Sequence, residues 1–230
     1  MRYAIYYVPD PRRPLWRFGS SVLGYDAASR AEVAFPKHAA FEREQIAAWT
    51  AEPRRYGFHA TLKPPFALAD GVSRDELMQT ASAFVREHAD VRIGRLEIAA
   101  IGPFLALVPA SPVADLDTFA GNCVRAFDRF RAPLTSAERA RRLQVGLTPR
   151  QIRHLDAWGY PYVFEDFRFH MTLSGPLHET DREQFAAALS ELYAPVSQGL
   201  GAVEIDAIAV FSQSSLGNRF VLEQRFAFAG

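Results

Sequence analysis

The sequence predicts a fold of mixed helices and strands built twice from one unit, and three observations carry that expectation. Two nine-residue stretches nearly repeat each other, Phe58-His-Ala-Thr-Leu-Lys-Pro-Pro-Phe66 and Phe169-His-Met-Thr-Leu-Ser-Gly-Pro-Leu177. Each precedes a segment with capping-box spacing and helical apolar periodicity, Ser73-Arg-Asp-Glu76 in the first half and Thr180-Asp-Arg-Glu183 in the second. Each of those helices is followed by two strand-like runs parted by turn residues. Self-similarity of this kind marks a duplicated supersecondary unit.

Taken in order, Tyr3 to Val8 is aromatic and β-branched and stops at Pro9, which reads as a strand. Pro9, Pro11, Pro14 and Gly19 then read as a loop, and Ala and Glu favour a short helix from about Lys37 to Trp49. Beyond the first phrase, Leu77, Ala81, Phe84, Val85 and His88 continue the capped helix. The runs Val91 to Ala99 and Phe104 to Val108, separated by Gly102-Pro103, read as strands, and Val113 to Arg131 as a helix joining the halves. The segment Thr135 to Asp166 has no counterpart in the first half and carries Arg139, Arg141, Arg142, Arg150 and Arg153. Thr148-Pro149 looks like an N-cap followed by proline at the first helical position, so this segment reads as an inserted helical excursion. It is either a solvated helix pair with charges outward or a lid over a substrate. After the second phrase, Phe185, Ala188, Leu189 and Leu192 give an apolar stripe, and Val203 to Phe211 and Arg219 to Phe226 read as strands.

With 230 residues, 49% of them hydrophobic by type, the chain can bury a large core. Lysine plus arginine number 26, as do aspartate plus glutamate, so no overall positive field exists to hold a long nucleic acid. No stretch approaches the roughly 18 apolar residues of a membrane span. The apolar run before Pro9 is too short for a signal peptide, and a single cysteine, Cys123, lies in an apolar-periodic segment where a packed, inert thiol is expected. A cytoplasmic monomer with no membrane partner is the expectation.

Each phrase alternates as a half-buried strand does. Phe58, Ala60 and Leu62 take one face, leaving His59, Thr61 and Lys63 on the other; Phe169, Met171 and Leu173 pack inward, leaving Arg168, His170, Thr172 and Ser174 together. Each strand thereby offers an imidazole, a hydroxyl and a cation on one face. Such a set suits a phosphodiester: two histidines with ordinary pKa about 6.5 can divide into a neutral base and a protonated acid near neutrality. Thr61 and Thr172 can donate to phosphate oxygens, while Lys63 and Arg168 can offset charge developing there. No metal or other cofactor is called for. With six histidines and eight threonines, roughly 0.2 His-x-Thr triplets are expected by chance, so two copies followed by leucine are a signal.

At His59-Ala60-Thr61 and His170-Met171-Thr172 the chain resembles the two-histidine (2H) phosphoesterase superfamily, which includes the 2′,5′ RNA ligase-like proteins and cyclic phosphodiesterases. The resemblance implies a bilobal α+β fold, two pseudosymmetric antiparallel sheets with helices outside and a central cleft. The first repeat would be residues 1–110 and the second 113–230, with the insertion at 135–166. It also implies that His59 and His170 are the acid–base pair of a 2H-type cyclic phosphodiesterase, a hydrolase, and that Thr61 and Thr172 bind the phosphate. The stretches LWRFGSSVLGYD, RRYGFHATLKPPF and FRFHMTLSGPL are similar to a bacterial branch associated with phosphonate-utilisation genes, which implies a small phosphorylated substrate such as a ribose or nucleotide cyclic phosphate. Which histidine is the base, and whether hydrolysis or ligation of RNA ends is the working direction, stay open at this level. A metal hydrolase is a weaker rival, because each phrase supplies one good ligand and neither His-x-His nor His-Glu-x-x-His occurs. A non-catalytic binder of nucleotides or RNA ends is another, with Trp16, Trp158, Tyr160 and Tyr162 as stacking surfaces and Arg54, Arg55 and Tyr56 framing the cleft.

Overall fold

The computed structural model describes residues 1–228. The first half runs β1 (Arg2–Tyr7), α1 (Pro14–Leu23), β2 (Tyr25–Asp26), β3 (Ala31–Glu32), α2 (Arg43–Trp49) and α3 (Ala51–Arg54). It continues through β4 (Ala60–Phe66), α4 (Arg74–Glu87), β5 (Val91–Gly94), β6 (Leu96–Ile101) and β7 (Phe104–Pro109). Then come α5 (Ala114–Asp128), α6 (Ser136–Leu143), α7 (Pro149–Trp158), β8 (Met171–Thr172), α8 (Glu179–Leu200), β9 (Val203–Ile205), β10 (Ala207–Gln213) and β11 (Val221–Ala227). The class is α+β. The order strand, helix, three strands occurs twice, as β4-α4-β5-β6-β7 and as β8-α8-β9-β10-β11.

Local chemistry explains most boundaries. Ser73 Oγ accepts from the Glu76 amide and Glu76 returns the bond to Ser73, the anticipated capping box of α4. Thr135 with Glu138 and Thr148 with Gln151 do the same for α6 and α7, Pro149 taking the first helical position. The run Val91–Ala99 is two strands, broken where Gly94 takes a left-handed φ of +85°, and Val203–Phe211 is likewise split at Asp206. Pro14 starts a helix where a loop was expected, because proline's missing N–H is harmless at the first position. The helix expected from Lys37 begins only at Arg43, and α8 is capped at His178, which leaves Thr180 inside its first turn.

Seven strands form one sheet in the order β11-β10-β1-β4-β8-β7-β6, antiparallel at every junction. Two separate sheets were expected; the two phrase strands instead pair directly, Ala60 opposite Met171, and make the sheet continuous. The halves of the sequence are also not the halves of the sheet. The β6–β7 hairpin of the first half adjoins β8, whereas the β10–β11 hairpin of the second half adjoins β1, which pairs with β4. Helices cross over in the same way, α4 packing on β10 and β11 and α8 on β6 and β7. Besides β4–β8, the equivalent strands β5 and β9 pair, so the repeats meet each other at two matched junctions. Among the described residues no helix is long and apolar enough to cross a membrane.

Phe58, Ala60, Leu62, Met171 and Leu173 are all buried, as the alternation requires. Phe58 lies on α1 at Gly19, where a β-carbon would stand 2.1 Å from the ring. Gly19→Ala should therefore cost about 1–3 kcal/mol through overpacking, outweighing the helical preference for alanine. A thermal or denaturant melt checks this; an unchanged midpoint would mean the Phe58 ring can move aside.

Candidate functional site

The register that pairs Ala60 with Met171 sets His59 opposite Thr172 and Thr61 opposite His170. Ala60 and Met171 point into the core, so their four neighbours share the other face. Directly opposite side chains in such a pair are about 5 Å apart at Cβ, and diagonal ones, here the two histidines, about 7–8 Å. Histidine and threonine alternate around a small square.

Both imidazoles are oriented alike. His59 Nδ1 lies 2.8 Å from the Gly57 carbonyl and His170 Nδ1 lies 2.8 Å from the Arg168 carbonyl. A carbonyl only accepts, so each Nδ1 carries the hydrogen and each Nε2 keeps its lone pair. The Thr61 hydroxyl donates to His59 Nε2 at 3.1 Å. Gly57 reaches its position with φ +75°, and a β-carbon there would stand 2.8 Å from that of Ala27. The fully buried Tyr6 ring stacks on His59, centroids 3.7 Å apart and planes 21° from parallel. His170 stands 5.7 Å from the Phe104 ring.

Burial pushes the His59 pKa down to about 4, opposed by the Gly57 carbonyl and aided by the positive charge His170 can carry. Burial also lowers His170, the Arg168 carbonyl opposing it. One protonated histidine was expected near neutrality; burial instead leaves both imidazoles neutral there, because withdrawing an imidazolium from water is unfavourable without an anion beside it.

A cavity of about 550 Å³ opens over this face. His59, Thr61, Thr172 and Ser174 line it, with Tyr6 and Arg2 of β1 and Tyr56; His170, beside them on the same face, is not among the lining residues. Arg141, Arg142, Tyr160 and Tyr162 line it from the insertion. The insertion is thus divided. Arg139 and Arg150 make two-pronged ion pairs with Asp156 and Asp166, and Arg153 is exposed, as a solvated pair would have it. The last turn of α6, which carries Arg141 and Arg142, lines the cavity, as a lid would. Phe164, at φ +54°, anchors the insertion on α5 beneath Arg125, 4.6 Å away. Trp158 packs on Phe164, and Trp16 is wholly buried in the core. Arg54 is bound to the carbonyls of Leu23 and Ala47 and Arg55 to that of Leu216.

Lys63 does not join the site. The ladder to β1 pairs Tyr6 with Thr61 but Ile5 with Lys63, so Leu62 is an extra residue, a bulge that breaks the alternation just before Pro64-Pro65. Lys63 turns to α5 instead, where its ammonium, 1% exposed, meets Asp128 at 2.9 Å and the Val124 carbonyl at 3.4 Å. Arg168 is exposed and away from the cavity; it contributes its carbonyl, not its charge. Cys123 is buried and its thiol pushed well up by burial, as an inert thiol should be. Among the described residues no three His, Cys, Asp or Glu side chains gather as a metal-ligand set. Tyr6 and Arg2 were missed at the level of sequence, since nothing in β1 repeats between the halves, and Arg142 was named there only as one of the insertion's five arginines.

A family model described as "Protein of unknown function (DUF1045)" matches residues 61–221. The chain belongs to the DUF1045 family. The matched span holds Thr61, His170 and Thr172 and starts two residues after His59. Two curated proteins are similar to the chain, each described as "Ribose 1,5-bisphosphate phosphokinase PhnN". The one from Janthinobacterium sp. (strain Marseille) is 37% identical over 231 residues, covering all of this chain and 51% of the relative. The one from Laribacter hongkongensis (strain HLHK9) is 37% identical over 218 residues, covering 92% and 50%. This DUF1045 chain therefore spans about half the length of the curated relatives it matches.

Two predictions follow from the positions of these groups. Asp128→Ala should destabilise the fold by about 3–5 kcal/mol, since it leaves Lys63 buried and unpaired; equilibrium denaturation would measure it, and a loss within error would mean water replaces the carboxylate. In an NMR titration of the free protein, His59 should change charge near pH 4 and His170 below 6.5. A His59 titrating at or above 6.5 would contradict the burial argument.

Proposed function

We propose that this chain is a metal-independent phosphoesterase of the 2H type, opening a small cyclic phosphodiester of a ribose or nucleotide in phosphonate metabolism. The observation that carries the reading is the square formed by His59, Thr172, Thr61 and His170, with both imidazoles presenting Nε2 from the same face. Two histidines diagonal to each other across adjacent strands suit opposite sides of a single phosphate, and the two threonine hydroxyls suit its non-bridging oxygens.

In the proposed step one histidine takes a proton from water as its oxygen attacks phosphorus. The other gives a proton to the departing sugar oxygen, and the ring opens to a phosphomonoester. His59, whose pKa is lowered further, is assigned as the base and His170 as the acid: between their two titrations His59 is neutral and His170 protonated. The Thr61 hydroxyl, which donates to His59 Nε2, turns to the phosphate when substrate enters. The entering anion raises both histidine pKa values and favours the protonated acid.

The phosphokinase named for the relatives is assigned to the part of those proteins outside the match. The only lysines here, Lys37 and Lys63, follow Pro36 and Leu62, so the chain has no Gly-x-x-x-x-Gly-Lys phosphate loop. The relatives' name also supports the substrate class. It joins a unit of this kind to chemistry on ribose 1,5-bisphosphate, and opening a cyclic phosphate on a phosphorylated ribose yields a ribose bisphosphate.

His59→Asn and His170→Asn should each reduce hydrolysis of 2′,3′-cyclic nucleotides or ribose cyclic phosphates by a factor of about 10² or more, with wild-type activity retained in chelator. For the wild-type enzyme kcat/KM should peak on the acid side of neutrality. It should fall below about pH 4 as His59 gains a proton, and at higher pH as His170 loses one. Full activity in either variant, or a flat pH profile, would refute the acid–base pair. Activity abolished by chelator and restored by a divalent ion would favour a metal hydrolase.

A further inference from the structure

The histidine square accounts for one phosphate, yet the cavity wall carries positive charge that this chemistry does not use. Arg2, Arg141 and Arg142 line the cavity against one carboxylate, Glu52. Arg2 binds the uncharged amide oxygen of Gln213, so its charge is not neutralised. Among the described residues neither Arg141 nor Arg142 is in an ion pair, in contrast to Arg139 and Arg150 on the outer side of the same insertion. Arg142 lies 5.6 Å over the Tyr160 ring, and its Nε is buried with no hydrogen-bond partner. A guanidinium donor withdrawn from water and left unmatched is unfavourable by itself and is completed by an acceptor.

These guanidinium groups stand apart from the histidines. Arg141 and Arg142 come from α6 of the insertion and Arg2 opens β1, four residues before the Tyr6 that stacks on His59, whereas the histidines belong to the paired phrases of β4 and β8. The cavity's volume of about 550 Å³ falls within the roughly 300–1,000 Å³ of small-molecule sites. It has room for a ligand reaching from His59 and Thr172 to the arginines.

We propose that Arg142, assisted by Arg141 and Arg2, receives a second anionic group of the substrate, a phosphomonoester remote from the cyclic phosphate. This rests on the reading of the site as a cyclic phosphodiesterase, and it makes the insertion the specificity element. The preferred substrate is a cyclic phosphodiester that already bears another phosphate.

Two measurements separate the subsite from the chemistry. The first compares kcat/KM for ribose 1,2-cyclic phosphate with and without a 5-phosphate. Wild type should favour the phosphorylated compound by about 10- to 100-fold, and Arg142→Met should bring the ratio near one, chiefly by raising KM for that compound. The second follows thermal stabilisation by ribose 5-phosphate against ribose, which needs no turnover. Wild type should be stabilised by the phosphate ester alone, Arg142→Met should not be, and Arg142→Lys should recover part of the effect. Circular dichroism of each variant without ligand confirms folding. Equal response to ribose 5-phosphate and ribose, or an Arg142→Met protein that still distinguishes them, overturns the subsite. Discrimination that depends on Arg142 in a protein that hydrolyses no cyclic ester supports the subsite and removes the phosphodiesterase reading instead.

Discussion

The antiparallel contact between β4 and β8 is the constraint on which the rest depends. One pairing, Ala60 with Met171, joins the two parts of the sheet and places both His-x-Thr triplets on a shared face. Because side chains alternate, a slip of one residue in either strand would turn a histidine and a threonine into the core and an alanine or methionine into the cavity. The register is held by burial of Phe58, Ala60 and Leu62 on one strand and Phe169, Met171 and Leu173 on the other. The apolar residues of each phrase therefore aim its polar ones. The matched Nδ1 contacts to Gly57 and Arg168 complete the aim by fixing ring orientation as well as position.

Exchange of parts between the halves gives that contact its support. Each hairpin lies beside the partner half's portion of the sheet and under the partner half's helix, so neither repeat can bury its own apolar surface alone. β8 is only two residues long and would be a weak strand in isolation; β7 on one side and β4 on the other hold it. The asymmetric additions specialise the pair. β1 inserts Tyr6 against His59 alone, which withdraws that imidazole further from water than its counterpart, and the insertion covers one end of the cavity with arginine and tyrosine. Duplication supplies two equal histidines, and the unequal surroundings make them different.

Much of this was legible in the residues. The repeated phrases, the capping box at Ser73, the N-cap at Thr148, and the inward Phe, Ala, Met and Leu positions all express rules that act within a few residues, whereas the capping-box spacing at Thr180 falls inside α8, which starts from His178. Lys63 was misread for a related reason: alternation is a rule for an unbroken ladder, and the bulge at Leu62 arises from pairing with β1, nearly sixty residues earlier in the chain. Arg168 was placed correctly near His170 but by its side chain, when the backbone carbonyl is the contact. The insertion's arginines looked alike in sequence, and only packing against α5 and over the cavity sorted them into outward ion pairs and inward, unpaired charges.

The sequence by itself determined the duplicated unit, the two histidines and two threonines, and the apolar positions that orient them, because each depends on local periodicity and residue chemistry. The tertiary structure decided that the two sheets are one, that the hairpins are exchanged, that Lys63 belongs to Asp128, and that burial lowers the pKa of both imidazoles. Those outcomes depend on strand pairing over long separations and on how much water each group loses. Both are properties of the assembled chain, with no signature in any short stretch of it.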